Sequence, residues 1–270
     1  MKICSQYLNT SFGAKNKRIR DADHIMRTAK KQFPIVSSSY IDTFYSDSSQ
    51  NKIKLRNSVS EKIADLIEHV RDIYLSDYPA MYDSSIETVP GLDLNTILLQ
   101  CLKKHKVGNC SENASLAVAA LTANGIDDAK KCYLYLNTYF INKQDRSILY
   151  KSSTPLDHSF AMTSMGKHSR NIKDLIVVDP WLGFADSATN AVAKYKQYLC
   201  PTEKIAEIQQ AEDIIFRNSM KQKGIELSPD DYEIKSNIHF FEFDLTTKEQ
   251  SKNLERYLKL KYPNIVVKQD

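Results

Sequence analysis

The stretch Val107-Gly108-Asn109-Cys110-Ser111-Glu112 determines how the middle of the chain is interpreted. Asn109 and Glu112 stand at the N-cap and N3 positions of a helix start, an asparagine variant of the capping box. Apolar residues follow at helical spacing, and Asn124-Gly125 supplies a C-terminal stop. We therefore predict a helix that carries Cys110 in its first turn, preceded by a glycine at which the chain can turn closely.

The segments on either side of this helix define the fold class. Further helices are predicted at 21–33, from a capping box at Ser58 and Glu61 onward, from Asp93 onward, and at 186–199, 202–223 and 247–260. Strands are predicted at 131–141, 156–165, 175–179 and 238–245. This order indicates an α+β protein with a mainly antiparallel sheet. We expect a helical N-terminal lobe at 1–92, a core at 93–200, and a helix–strand–helix extension at 201–270 that packs on the same sheet or forms one domain with the core.

Composition and missing motifs exclude several classes of protein. The 270 residues carry a net charge of +4 and are 42% hydrophobic, which is enough for a packed core. No apolar run approaches the roughly 20 residues of a membrane helix, and the polar N-terminus lacks a signal-peptide core, so we expect a cytoplasmic protein in the producing cell. The five cysteines include no Cys-x-x-Cys pair, and no phosphate-binding or dinucleotide-binding motif is present. We expect no cofactor, no metal site, no membrane span and no nucleic-acid partner.

Cys110 has the local surroundings that a sulfur nucleophile requires. The thiolate is the reactive form of cysteine, so its pKa must be lowered for reaction near neutral pH. The unpaired N–H groups and the macrodipole at a helix start favour a negative charge there. The same N–H groups can stabilise the oxyanion that forms when a thiolate attacks a carbonyl.

A thiolate nucleophile also requires an imidazole partner and a group that orients it. His158 lies near the start of a predicted strand, and the alternation of side chains along a strand puts Asp157 on the opposite face. The orienting carboxylate must therefore come from elsewhere, and Asp179 ends the apolar strand at 175–179. We expect Trp181, two residues later, to line this site and screen it from water.

Each of these residues also has a purely structural interpretation. Cys110 can be a small buried hydrophobe, His158 a core histidine, and Asp179 a cap of the turn that follows it. Asp174 is a weaker rival for the carboxylate, and Trp181 can serve core packing alone.

Three short motifs occur in the chain order typical of the transglutaminase-like branch of the papain-like cysteine enzymes. They are Gly108-Asn109-Cys110-Ser111-Glu112, Asp157-His158-Ser159-Phe160 and Val178-Asp179-Pro180-Trp181. The sequence resembles that superfamily over roughly residues 93–182. The resemblance implies a papain-like core in which Cys110 is the nucleophile, His158 the general base and acid, and Asp179 the orienting carboxylate. Asn109 is a candidate to line the site and to help stabilise the oxyanion.

In size and style the sequence looks most similar to bacterial effectors that deamidate a glutamine in a host protein. The resemblance implies a glutamine deamidase or a transglutaminase that acts on a protein substrate, after delivery to the host cytosol by a dedicated secretion system. A cysteine protease is the alternative with the same chemistry, and a catalytically silent protein-binding module is the alternative from another class. The glutamine of papain-type enzymes would fall at Lys104, and no calcium loop is present.

Overall fold

The computed structural model describes residues 4–39, 50–75, 94–164, 172–243, 255–256 and 259–267. Its longer helices are α1 (Cys4–Gln32), α2 (Gln50–Leu75), α3 (Leu94–His105), α4 (Cys110–Ala123), α5 (Ala188–Tyr198) and α6 (Thr202–Gln222). Its strands are β1 (Lys130–Asn142), β2 (Ile148–Thr163), β3 (Ile176–Asp179), β4 (Phe184–Ser187) and β5 (Tyr232–Phe243). The strands form one antiparallel sheet in the order β4-β3-β2-β1-β5. The predicted α+β class with a mainly antiparallel sheet is therefore confirmed.

The chain divides into two compact units, and both are discontinuous in sequence. The first unit comprises Met1–Lys131, Ser159–Ala188 and Asp244–Asp270. The second unit comprises Cys132–His158 and Thr189–Phe243. These units divide the chain differently from the three consecutive segments expected from the sequence, because each assembles segments that are far apart along the chain.

The core of the first unit forms where α1 and α4 pack on β3. One cluster of buried side chains contains residues of all three elements: Ala22, Met26, Ala29, Leu116, Ala117, Ala120, Leu121, Ile176 and Val178. α4 is buried on nearly all sides. Because many of its residues are alanines with short side chains, neighbouring elements can pack close to the helix axis. The apolar composition of α4 therefore reflects a central helix, and its first residue is Cys110.

Two hairpin-like pairings hold β3 in the first unit. β2 pairs with β3 in the register Ala161↔Val178, and β3 pairs with β4 in the register Asp179↔Phe184. Gly183 has φ +78 in the turn between β3 and β4, a conformation that glycine adopts without strain. Asp179 therefore lies at the last position of β3, directly before this turn.

The second unit has its own aromatic core. Phe140, Phe216, Met220 and Tyr232 are buried together, and the rings of Phe140 and Phe216 lie 4.4 Å apart between centroids. Tyr232 donates a 2.5 Å hydrogen bond to Asp213 of α6. This core connects α6 with β1 and β5.

Several predicted boundaries were wrong. α1 begins at Cys4 instead of residue 21, and α2 begins at Gln50 and runs through Ser58, so the predicted capping box at Ser58 and Glu61 is not a helix start. β2 and β5 begin earlier than expected, and β4 was not predicted.

Other predicted helices agree with the structure. The predicted helix at 21–33 lies inside α1, and α4, α5 and α6 match their predictions to within two residues. The predicted turn at 89–91, the cap at Asp93 and most of the predicted helix at 247–260 lie outside the described residues.

Candidate active site

Cys110 is the first residue of α4, as predicted, and Asn109 is the N-cap. The backbone N–H of Asn109 donates to Oε2 of Glu112 at 2.8 Å, which is the glutamate half of the predicted capping box. The Cys110 side chain is half-buried, whereas Cys101 and Cys132 are fully buried. Cys110 thus combines a helix-start position with partial access for a reactant.

Gly108 allows the chain to enter α4 at close range. A Cβ at this position would lie 2.6 Å from the Cβ of Glu112, closer than real Cβ atoms approach, and would make a tight contact of 3.3 Å with Cγ2 of Ile35. The segment around Val36 packs here because Val36 and Val107 form a parallel bridge. The N–H of Val36 donates to the carbonyl of Lys106 at 2.9 Å, and the N–H of Gly108 donates back to Val36 at 3.0 Å. This pairing puts the serines at 37–39 beside Asn109.

A hydrogen-bond relay joins Asn109 to Trp181. Oδ1 of Asn109 accepts from Oγ of Ser37 at 2.8 Å, from Oγ of Ser38 at 3.3 Å and from both the N–H and Oγ of Ser39, at 3.3 Å and 3.0 Å. Because a backbone N–H can only donate, the Ser39 contact fixes which end of the amide faces the serines. The indole N–H of Trp181 donates to Oγ of Ser37 at 2.9 Å. The two predicted site-lining residues, Asn109 and Trp181, are therefore held by one serine.

Charged side chains surround the first turn of α4. Glu112 is 1% exposed and accepts from Nε and Nη2 of Arg71 at 2.9 Å and 3.2 Å. Nζ of Lys131 donates to Oγ of Ser111 at 2.6 Å and to Oγ of Ser115 at 3.3 Å. Burial lowers the pKa of Lys131 from its usual value, while the negative charges of Glu112 and Cys110 act in the opposite direction.

Asp179 is fully buried at the end of β3. Its Oδ1 accepts from the N–H of Leu182 at 3.0 Å, so the turn-capping interpretation of this residue describes part of what it does. Lys30 of α1 donates from Nζ to the carbonyl of Pro180 at 2.6 Å. Burial lowers the pKa of Lys30, and the carboxylate of Asp179 partly opposes this shift. Asp179 is therefore fixed in orientation and paired electrostatically with the half-buried ammonium of Lys30.

His158 belongs to the second unit and is 4% exposed. Its ring packs edge-on against Tyr195 of α5, with the centroids 5.4 Å apart. Asp157 has φ +49, so the regular alternation of β2 is interrupted directly before His158. Phe160 and Met162 are buried beyond it, as are Ser159 and Ala161. Both faces of this part of β2 are therefore covered.

Two of the charged residues at this site were not predicted from the sequence to belong to it. Arg71 was assigned only to an amphipathic helix, and Lys131 only to the start of a strand. The serines at 37–39 were assigned to a loop, which was wrong for Ser38 and Ser39, because both are helical in the structure. A pair of adjacent lysines at 130 and 131, directly before the buried strand residue Cys132, was the one local sign of a cation with a specific partner.

The described ranges contain no group of three or more His, Cys, Asp or Glu side chains that could hold a metal ion. Within the same ranges, no helix is long and apolar enough to cross a membrane. No family model, no curated protein and no solved structure matches this chain.

Proposed function

We propose that the protein is a thiol-dependent acyl-transfer enzyme with Cys110 as its nucleophile. The observation that carries the proposal is the half-buried thiol at the first residue of α4, with the Lys131 ammonium bonded to the adjacent Ser111. A helix N-terminus and a nearby cation both stabilise a thiolate. Backbone N–H groups at the start of a helix can also stabilise the charge that develops on a substrate carbonyl oxygen.

The remaining roles follow the motif order in the sequence. His158 is proposed as the general base and acid, and Asp179 as the carboxylate that orients it. Asn109 is proposed to assist the oxyanion, because its oxygen is engaged by serine donors and its NH₂ group faces away from them. Trp181 lines the site by holding Ser37 in place.

The proposed reaction is hydrolysis of a carboxamide. The Cys110 sulfur attacks the carbonyl carbon to give a tetrahedral intermediate, while His158 holds the proton of the ionised thiol. His158 passes this proton to the leaving nitrogen, the C–N bond breaks, and ammonia departs to leave a thioester on Cys110. Water then attacks the thioester, which releases a carboxylate and restores the thiol. With the side chain of glutamine as substrate, the net reaction converts glutamine and water into glutamate and ammonia.

The proposed substrate class and biological role of the enzyme are supported only by the three sequence motifs. A papain-like core, a host protein as substrate, the role of a bacterial effector and delivery into a host cell are parts of the same proposal. If a lysine amine replaces water in the second step, the enzyme is a transglutaminase. If the attacked carbonyl belongs to the main chain, it is a cysteine protease.

Mass spectrometry of candidate substrates tests the proposal and separates these outcomes. After incubation with glutamine-containing peptides or a host-cell extract, deamidation adds about 1 Da per glutamine, crosslinking joins two chains with loss of ammonia, and proteolysis gives fragments. The variants Cys110→Ala and His158→Ala are expected to abolish the change. If Cys110→Ala retains the activity of the wild type, Cys110 is not the nucleophile. If no substrate is modified and Cys110 is an ordinary thiol, the protein is a binding module.

A further inference from the structure

We infer that Lys131 is a positioning residue that keeps the Cys110 thiol ionised near neutral pH. The inference rests on the proposed function, because it assigns a residue to the nucleophile of that reaction. Lys131 acts through the charge state of Cys110 and is not required to touch the substrate.

The geometry holds the Lys131 ammonium at the first turn of α4. Nζ donates to Oγ of Ser111 at 2.6 Å and to Oγ of Ser115 at 3.3 Å. Ser111 directly follows Cys110 in the chain, and Ser115 lies one turn further along the same helix. Two hydrogen bonds to one helix fix the ammonium beside the residue that begins it.

A cation at this position is unfavourable for the helix itself. The N-terminus of a helix carries a partial positive charge, so lysine is favoured at the other end. The buried carboxylate of Glu112 partly offsets this, because its charge attracts the Lys131 ammonium. A thiolate at Cys110 acts in the same direction as Glu112, because it interacts favourably with both the ammonium and the dipole.

The other charged groups around this turn leave a positive balance. Arg71 of α2 and Glu112 of α4 neutralise each other through two hydrogen bonds, and Lys131 of β1 remains as the second cation. Lys30 of α1 and Asp179 of β3 interact with each other. Glu68 of α2 also contacts Arg71, at 2.8 Å, but its side chain is 68% exposed and water screens its charge. Among the groups removed from water, two cations, Arg71 and Lys131, therefore stand against the single carboxylate of Glu112, which favours the thiolate over the thiol.

The electrostatic coupling between the two side chains supports the same direction. Burial lowers the pKa of Lys131, and the negative charges of Glu112 and, after it, Cys110 oppose this lowering. Such coupling is reciprocal, so a charged Lys131 lowers the pKa of Cys110 by the same interaction. Removing the ammonium must therefore raise the pKa of the thiol.

The test is the pH dependence of Cys110 alkylation by iodoacetamide, followed at the Cys110 peptide by mass spectrometry. Lys131→Met removes the charge, Lys131→Gln removes the charge but keeps a donor for the serines, and Lys131→Arg keeps the charge. Lys130→Met is the matched control, because it removes the adjacent positive charge from the same strand. Far-UV circular dichroism and Trp181 fluorescence establish that each variant is folded.

We expect the pH midpoint of alkylation to rise by about one unit in the Met and Gln variants, which is about a tenfold slower reaction at pH values below the midpoint. The Arg and Lys130→Met variants are expected to keep the wild-type midpoint. A low wild-type midpoint that is unchanged in Lys131→Gln would overturn the inference and leave the proposed function standing. An ordinary wild-type midpoint would overturn both.

Discussion

The ion pair between Arg71 and Glu112 gives a sharp test of how the start of α4 is held. Glu112 has 1% of its side chain exposed and accepts two hydrogen bonds from Arg71, whose side chain is 28% exposed. Replacing Arg71 by Met leaves the glutamate buried without this partner, although its bond to the Asn109 N–H remains. Breaking a buried ion pair in this way costs about 3–5 kcal/mol. Because water reaches one side of the guanidinium, we expect about 2–3 kcal/mol for Arg71→Met.

The double variant separates the ion pair from general packing. In Arg71→Met with Glu112→Gln, neither member of the pair carries a charge and an amide oxygen still accepts from Asn109, so we expect a loss of about 1 kcal/mol. Urea unfolding followed by tryptophan fluorescence is suitable, because Trp181 is the single tryptophan of the chain and belongs to the first unit. Trp181 is also 7% exposed, so its emission responds to unfolding around this site.

Glu68→Gln is the matched control for the same arginine. Glu68 lies 2.8 Å from Nη1 of Arg71, but its side chain is 68% exposed. An exposed pair of this kind contributes between zero and about 1 kcal/mol. If Arg71→Met destabilises the protein no more than Glu68→Gln, the buried pair does not hold the start of α4 and this reasoning is refuted.

Three further substitutions test other parts of the structure. Ser37→Ala removes the acceptor for the Trp181 indole, so we expect a loss of about 1–2 kcal/mol in urea unfolding and a changed emission maximum. Gly108→Ala forces a Cβ to within 2.6 Å of the Cβ of Glu112, and we expect about 1–3 kcal/mol of destabilisation together with altered alkylation of the cysteine at the helix start. Tyr232 has its pKa raised to about 12 by burial and by its hydrogen bond to a carboxylate, so its contribution to stability is present below pH 10 and is lost as the pH rises from about 10 to 12. Tyr232→Phe should therefore show a smaller loss of stability between pH 9 and pH 11 than the wild type.

Each of these three has an outcome that would contradict it. A Ser37→Ala variant with unchanged stability and emission would show that the relay to the indole contributes nothing. For Gly108, the control is Gly125→Ala, where φ +80 causes backbone strain but no atom lies within 4 Å. That variant should lose stability without changing the reactivity of Cys110, and equal effects of both variants on reactivity would argue against the close approach at Gly108. Equal alkaline losses in the wild type and Tyr232→Phe would show that this phenol titrates normally.

α4 could be predicted because all of its boundary signals are local. Asn109 and Glu112 mark its start, and Asn124 and Gly125 mark its end, where Gly125 has φ +80. These interactions involve residues a few positions apart, so their sequence spacing contains the necessary information. The same local reasoning failed at Ser58 and Glu61. Residues 50–57 contain no proline or glycine to stop a helix, and α2 continues through the apparent cap.

The partners of Cys110 could be predicted only in part. Arg71, Lys131 and the serines at 37–39 reach the start of α4 from elements that are distant in sequence. Their positions depend on how α2, β1 and the segment after α1 pack against α4. The periodicity of the sequence does not predict this packing. Asn109 was predicted as an N-cap from its own position, but its link to Trp181 through Ser37 follows from tertiary structure alone.

The pH midpoint of Cys110 alkylation in the wild type tests the central claim most directly. Faster labelling of Cys110 than of Cys101, Cys132 or Cys200 would not decide the matter, because these three thiols are buried and burial also raises the pKa of Cys200. The midpoint itself is independent of access to the thiol. An activated nucleophile predicts a midpoint at least one unit below the ordinary value of about 8.5, whereas a midpoint at or above that value would contradict thiol catalysis at Cys110.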